Sequence, residues 1–295
     1  MQPSHLPVML EEVVTCLAPK DGGLYVDGNL GLGGHTEAIL QACGPSGQVV
    51  GFDWDAEALT LAQERLARFA GRVRFVHENF TSIKETLMEL GIGTIDGLLL
   101  DLGLSSLQLD ASGRGFSFKG SEPLDMRMDQ RQATTAAELV NEATEEELAD
   151  IFFYYGEEYQ ARRIAQWIVE ARRKEKIVST DQLVALVDQA IPKRFHPPKI
   201  HVATKVFQAL RIAVNRELDS LEQVLADGAT LLAPGARFCV ISFHSLEDRL
   251  VKQAFRENPL LDVITPKPLT PGRAECLRNP RARSAKLRVA ARGRT

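Results

Sequence analysis

The sequence predicts an α/β protein with a Rossmann-like sheet and an inserted all-helical segment. Apolar runs and helical patterns alternate over the first hundred residues, in the order typical of a doubly wound parallel sheet. A glycine-rich turn follows the first apolar run, where such sheets bind nucleotide-like cofactors. Strand patterns are then missing between about residues 110 and 200, and they return nearer the C-terminus.

The first strand and its glycine turn occupy residues 24–35. An apolar run ends in Asp27, and glycines follow at positions 28, 31, 33 and 34. Glycine permits positive φ and lets the backbone approach a ligand, so the turn predicts a cofactor site, with a plain strand-to-helix turn as the alternative. The dinucleotide fingerprint fails because Thr36 stands where its third glycine belongs, and no P-loop lysine follows.

Polar residues lie at the ends of the next three predicted strands. Asp53 follows the second strand, where an acidic residue can accept hydrogen bonds from ribose hydroxyls. Asn79 and Phe80 follow the third strand and suit an adenine ring, and Asp101 ends the fourth. Because the carboxyl ends of parallel strands share one edge of a sheet, these residues predict a single site. Their combination favours S-adenosylmethionine over NAD.

The remaining patterns divide the chain into a discontinuous core and an insertion. Core strands are predicted at residues 48–52, 72–76, 95–100 and 237–243, core helices at 35–42, 55–69, 81–90, 204–225 and 246–257, and a terminal antiparallel hairpin at 262–265 and 285–290. Insertion helices are predicted at 144–153, 158–173 and 181–191, the first with a capping box from Thr144 to Glu147. A parallel sheet finished by a hairpin is the usual core of class I S-adenosylmethionine-dependent methyltransferases. We therefore expect that core over 1–110 and 206–295, and a helical substrate-recognition domain over 111–205.

Composition and charge set the broad class of the protein. The 295 residues, 25% of them charged, are typical of a globular protein, and no apolar run reaches membrane-spanning length. We expect a cytoplasmic protein without a membrane partner. The four cysteines and six histidines lack metal-ligand spacing, so we expect no metal. Net charge is −4, yet residues 267–294 hold nine basic side chains and one acid, Glu275, which indicates either a phosphate-binding patch or a solvated tail.

Asp101 is the candidate catalytic residue, because amino-methyltransferases grip the target amine at the end of the fourth strand. An exocyclic base amine is a poor nucleophile, since its lone pair is delocalised into the ring. A carboxylate that accepts an N–H hydrogen bond localises this lone pair for in-line attack on a sulfonium methyl group. Orientation of the cofactor's methionine end and capping of a turn are the alternatives for Asp101.

The segment after the fifth predicted strand of the core carries a further candidate. Ser245 with Asp248 predicts a helix cap there. His244 lies at the same carboxyl edge, where it could face the target base or an adjacent phosphate.

Eight ordered motifs identify the chain as similar to one family. They are DGNLGLGGHT, FDWDAEAL, DGLLLDLGLSSLQLD, RGFSF, PLDMRMD, FQALRIAVNREL, ISFHSLEDR and NPRARSAKLR. Together they resemble the bacterial 16S ribosomal RNA cytosine-N4 methyltransferases of the MraW/RsmH family, from His5 to about Arg288. The resemblance implies S-adenosylmethionine-dependent methylation of a specific cytosine amine in the decoding centre, near the P site of the small ribosomal subunit.

The resemblance also implies site residues. Carried over by position, the family's cofactor contacts are Gly33, Gly34, His35, Asp53, Phe80, Asp101 and Gln108. Asn29 departs from the family pattern, which usually has Thr there, and both side chains can hydrogen-bond a turn. No catalytic base is implied, and the oligomeric state stays open, a dimer included.

Two other functions compete with this interpretation. A DNA amino-methyltransferase would use the same chemistry, but its usual motif places two prolines after the first residue, where this chain has Leu102 and Gly103. An RNA chaperone without catalysis would need only the basic segment. Saturable binding of S-adenosylmethionine separates the chaperone from the two enzymes.

Overall fold

The computed structural model describes residues 7–105, 108–109, 113–118 and 120–294. The chain divides into two compact units, which we call the core unit (Met1–Gly103 with Leu218–Thr295) and the helical unit (Leu104–Glu217). The sequence placed the divisions near 110 and 205 instead. The helix Thr204–Asn215 accounts for the second difference, because it packs against two other helices of the helical unit.

A seven-stranded sheet forms the centre of the core unit. Its strands are β1 (Leu24–Asp27), β2 (Gln48–Phe52), β3 (Val73–Val76), β4 (Ile95–Asp101), β5 (Leu232–Ser242), β6 (Leu261–Val263) and β7 (Lys286–Arg292). The strand order is β3-β2-β1-β4-β5-β7-β6. β1 to β5 pair in parallel, and β7 runs antiparallel to both β5 and β6. The predicted α/β fold and its terminal hairpin are thus confirmed.

The helices of the core unit follow the predicted alternation with four differences. In the core unit they are α1 (Leu10–Leu17), α2 (Gly34–Ala42), α3 (Ala56–Arg65), α4 (Ile83–Glu89), α10 (Glu217–Leu231), α11 (Ser245–Glu257) and α12 (Arg273–Arg278). Helices α1 and α12 were not predicted. The predicted helix 55–69 is α3 followed by a short 3-10 turn. The predicted helix 204–225 is two helices, because Arg216 adopts left-handed backbone geometry with φ of 49°.

Two hydrophobic clusters hold the sheet between its helices. Leu98 and Leu100 of β4 belong to one cluster, and Leu99 belongs to the other. Successive side chains of a strand point to opposite faces, so this strand is buried on both faces. Burial on both faces explains the apolar run of β4. Packing on both faces also holds the end of the strand, where Asp101 lies, in a defined position.

The helical unit contains α5 (Ala136–Glu142), α6 (Glu145–Tyr154), α7 (Ala161–Arg172), α8 (Thr180–Ala190) and α9 (Thr204–Asn215). Capping boxes start α5, α6 and α8, and the one predicted at Thr144 and Glu147 is confirmed. Among the described residues of the whole chain, no helix is long and apolar enough to cross a membrane.

Candidate active site

The glycine turn after β1 is hydrogen-bonded to both neighbouring strands, β4 and β2. The backbone N–H of Gly28 donates to the carbonyl of Leu99 at 2.9 Å, and that of Leu30 donates to Phe52 at 2.8 Å. Gly33 then caps α2 with φ of 77°, a conformation that side chains with a Cβ rarely adopt. The start of α2 is therefore held at the carboxyl edge of the sheet, and a helix N-terminus there attracts anionic groups.

Asp53, directly after β2, holds the outer part of the same turn. Its Oδ2 accepts from the backbone N–H of Gly31 at 2.8 Å, and its Oδ1 accepts from the N–H of Asp55 at 2.9 Å. Burial nevertheless raises the pKa of this carboxyl to about 6, because desolvation outweighs these two hydrogen bonds. The two backbone hydrogen bonds thus hold the Asp53 side chain in place. A further hydrogen bond from a hydroxyl group would stabilise its ionised form.

A buried charge cluster lies beneath the turn. Asp27 is fully buried, and its Oδ2 accepts from the hydroxyl of Thr36 at 2.7 Å. His35, only 5% exposed, places its Nε2 3.4 Å from Oδ2 of Asp101, which is an ionic contact rather than a well-formed hydrogen bond. Three titratable groups therefore share one small volume at the ends of β1 and β4.

The environment of this cluster shifts the pKa values of Asp27 and His35. Burial raises the pKa of Asp27, and the nearby His35 and the Thr36 hydroxyl only partly oppose that rise. Burial lowers the pKa of His35, but Asp101 and Asp27 raise it by more, so the net shift is upward. The imidazolium form of His35 is thereby favoured between two carboxyl groups.

Several buried polar atoms of this cluster lack hydrogen bonds. Within the described part of the chain, Oδ1 of Asn29, both ring nitrogens of His35 and Oδ1 of Asp101 have no hydrogen-bond partner. Buried polar atoms are nearly always paired in folded proteins, so such a group marks a place where a ligand is bound. These atoms can serve a ligand that carries both a cation and an anion.

Phe80 supplies an apolar wall next to the glycine turn. It begins a 3-10 turn after β3 and is 6% exposed, and a side chain at Gly28 would lie only 3.3 Å from its Cβ. The ring of Trp54 lies 6.5 Å from that of Phe80, tilted by 43°. A flat heteroaromatic ring is a suitable ligand for such a wall.

The structure places most of the predicted site residues, but not all of them, in one part of the core unit. Six of the seven lie at the carboxyl edge of the sheet in the core unit: Gly33, Gly34, His35, Asp53, Phe80 and Asp101. Gln108 belongs to the helical unit, where it exchanges hydrogen bonds with Ser105 at 3.0 and 3.2 Å. Asp27 was not predicted as a site residue, although it ends the first strand just as Asp101 ends the fourth.

The predicted cap of α11 uses different residues. His244 is the N-cap, and the carboxylate of Glu247 accepts hydrogen bonds from the backbone N–H groups of Phe243 and His244. Asp248 instead pairs with Arg288 at 2.6 Å and with Lys286 at 2.9 Å. His244 is consequently engaged in holding the start of the helix.

The fold and the site define a class I methyltransferase that uses S-adenosylmethionine: the strand order, the antiparallel seventh strand and the glycine turn with its acidic strand ends are those of this class. The profile of the MraW methylase family matches residues 2–293. The chain belongs to that family. This confirms the predicted family and cofactor.

Three relatives are similar to this chain over nearly their whole length. "Ribosomal RNA small subunit methyltransferase H" of Desulfotalea psychrophila is 58% identical, with 97% of each chain covered. The protein of the same name from Geotalea uraniireducens is 50% identical, again over 97% of each chain. That from a Cyanothece species is 53% identical, over 98% of this chain and 94% of the relative.

Gly33→Ala tests the geometry of the turn. The new Cβ would meet Cδ1 of Leu66 at 2.9 Å, and alanine would have to adopt positive φ. We expect the free energy of unfolding to fall by about 1–2 kcal/mol, measured by denaturant titration. Gly93→Ala is the control, because its Cβ meets no described atom within 4 Å. Equal stability of the two variants would contradict the strained turn.

Proposed function

We propose that this protein transfers a methyl group from S-adenosylmethionine to the exocyclic N4 amine of a cytosine in the decoding centre of 16S ribosomal RNA. The observation that carries the proposal is the near-complete overlap with relatives named ribosomal RNA small subunit methyltransferase H, two of which are 58% and 50% identical. The choice of the N4 amine rests on the family resemblance and on the carboxylate that ends β4.

The cofactor roles follow from the charges of the site. S-adenosylmethionine supplies the electrophilic methyl group on its sulfonium. Asp53 accepts hydrogen bonds from the ribose hydroxyls, and the Phe80 wall packs on the adenine. The N-terminus of α2, with Gly33, Gly34 and His35, holds the methionine carboxylate. We assign Gln108 to the same ligand from the family resemblance alone.

Asp101 activates the acceptor in this proposal. Its Oδ1 is buried and lacks a hydrogen-bond partner within the described part of the chain, so it is available to accept from the N4 amine. Its other oxygen faces His35 at 3.4 Å, which keeps the carboxyl group oriented. Accepting the N–H bond localises the nitrogen lone pair, and positioning then supplies most of the rate. The amine loses its proton after transfer, and water suffices as the acceptor.

Mass spectrometry of ribosomal RNA tests the reaction and its target together. Cells that lack the protein should lose one methyl group from a single cytosine of 16S ribosomal RNA. The purified protein should restore that group on their small subunits and should leave genomic DNA unmethylated. Methylation of DNA instead would support the amino-methyltransferase alternative, and an unchanged 16S spectrum would refute the proposed target.

The basic segment 267–294 is the part of the core unit best suited to ribosomal RNA phosphates. Arg278 and Arg283 are exposed there. We expect that reversing both charges to Glu lowers affinity for small subunits at least tenfold and reduces the salt slope by about 0.7–0.9 for each phosphate that is no longer neutralised. Affinity for S-adenosylmethionine should not change.

A matched charge reversal controls for net charge. Lys20 and Arg74 are exposed in the same unit but outside the basic segment. Reversing both changes the net charge by the same amount. If this control weakened subunit binding as much as the first pair, a general charge effect would replace the assigned surface.

A further inference from the structure

Exposed aromatic rings gather in one part of the helical unit. Tyr159 is 85% exposed, Tyr154 61%, Phe195 50% and Phe153 49%. Their neighbour Phe152 is fully buried, so the core of the unit does not need these rings. The rings of Phe153 and Tyr154 contact each other with centroids 5.2 Å apart, and large exposed apolar groups of this kind mark an interaction surface. We call these four residues the aromatic end.

Three hydrogen bonds connect the segments of the helical unit that carry these rings. Lys205, near the start of α9, donates to the carbonyl of Glu157 at 2.7 Å. Gln208, one turn later, donates to the carbonyl of Tyr155 at 3.2 Å. The guanidinium of Arg163 donates to the last carbonyl of α8, that of Ala190. The turn between α6 and α7 therefore lies beside the start of α9 and the segment that follows α8.

Cations lie directly on two of the rings. The guanidinium carbon of Arg194 is 4.7 Å from the ring centroid of Phe195, and Nζ of Lys205 is 5.4 Å from that of Tyr159. Residues 153–163 and 192–205 together carry six Lys and Arg but only two acids, Glu157 and the buried Glu158. One of the six, Lys193, pairs with Asp188 at 2.9 Å, and the other five leave an excess of positive charge beside the ring faces.

We propose that the aromatic end is a stacking platform for single-stranded RNA, a proposal that rests on the ribosomal substrate proposed above. Unpaired bases stack on exposed rings, while neighbouring Lys and Arg neutralise the phosphates between those bases. A protein partner of ordinary composition would gain nothing from the cationic excess. A duplex would hide its base faces from the rings, so the platform prefers unpaired nucleotides.

Fluorescence anisotropy with two labelled probes tests the platform. One probe is a single-stranded oligoribonucleotide of about 12 nucleotides, and the other is the same strand in a duplex. We expect wild-type protein to prefer the single strand. The double variant Tyr159→Ala/Phe195→Ala should lose at least tenfold in single-strand affinity, with unchanged affinity for S-adenosylmethionine.

Two single variants sharpen the result. Tyr159→Phe keeps the ring and should retain near wild-type affinity, whereas Tyr159→Leu keeps only apolar area and should lose affinity. Val178→Ala is the control, because Val178 is 53% exposed in the same unit outside the aromatic end. Thermal unfolding confirms that each variant is folded.

The outcomes separate this proposal from the proposed function. Unchanged RNA affinity in the double variant overturns the platform, and so does Tyr159→Leu behaving as wild type. Reduced self-association in sedimentation, with RNA affinity unchanged, would make the aromatic end an interface between copies and also overturns it. If wild-type protein failed to methylate small subunits, the proposed function would be refuted. The platform would still be tested, since the oligonucleotide measurement does not depend on methyl transfer.

Discussion

Asp101→Asn is expected to reduce methyl transfer by about 10²–10³-fold. The substitution keeps the size of the side chain but replaces one carboxylate oxygen with an amide that donates hydrogen bonds. The imidazolium of His35 favours the amide oxygen on its own side, so the NH2 group faces the target amine, where it cannot accept a hydrogen bond. The nitrogen lone pair of the target then stays delocalised into the ring. His35 also loses the negative charge that lies 3.4 Å from its ring.

The variant separates the two roles that the sequence left open for Asp101. Activation of the amine predicts a fall in turnover while the cofactor dissociation constant changes less than tenfold. Orientation of the methionine end predicts the reverse, a weaker cofactor and near-normal turnover at saturation. Single-turnover kinetics with labelled cofactor, together with calorimetry, measures both quantities.

Asp96→Asn is the matched control for this experiment. Asp96 lies near the start of the same strand, where its Oδ2 accepts from the N–H of Leu24 at 2.9 Å. An asparagine oxygen can accept the same bond, and the position is at the opposite end of β4 from Asp101. Turnover of this variant should equal that of the wild type. A comparable loss would attribute the Asp101 effect to a disturbed strand.

The sheet and the cofactor edge could be predicted because local patterns encode them. The apolar run of β4 indicates that the strand is buried on both faces. A polar residue at the end of a predicted strand indicates where the carboxyl edge of the sheet lies. Once parallel order is inferred, Asp53 and Asp101 must both lie along that edge. No long-range information is needed for that step.

Other features depend on distant contacts and could not be predicted. Asp27 is fully buried, which raises its pKa, and it accepts from Thr36 of α2, a residue nine positions further along the chain. The break at Arg216 depends on where one unit ends and the next begins, and the local pattern continues through it. His244 is the N-cap in place of Ser245, because the Glu247 side chain reaches back to the backbone of His244. Histidine is not a typical N-cap residue, so the sequence pattern did not indicate this cap.

Asp53→Ala is expected to raise the dissociation constant of S-adenosylmethionine about 10–100-fold, the cost of losing charge-assisted hydrogen bonds to two hydroxyls. The substitution also removes the acceptor of the Gly31 N–H, so the turn itself loosens. Asp21→Ala is the control, since Asp21 holds the exposed Ser46 hydroxyl at 2.8 Å. Calorimetry should find wild-type cofactor affinity in that variant.

The pKa of about 6 adds a pH dependence to this prediction. The ionised carboxylate binds hydroxyl donors better than the protonated acid, so affinity should be constant above about pH 7 and fall about tenfold by pH 5. Because the pKa is raised in the folded protein, ionisation of Asp53 opposes folding, and its contribution to stability is lost as pH rises through about 6. Bound cofactor offsets that cost, so the thermal shift on binding should grow with pH.

Asp53→Asn isolates this contribution from the other titrations of the site. His35 and Asp27 also have raised pKa values and remain in the variant, so any pH dependence that they cause persists. The difference between the wild-type and variant profiles should therefore show a single transition near pH 6. Parallel profiles at pH 5–8 would mean that Asp53 does not contact the cofactor as an ionised carboxylate, and the acceptor of the ribose hydroxyls would have to be sought elsewhere on the edge.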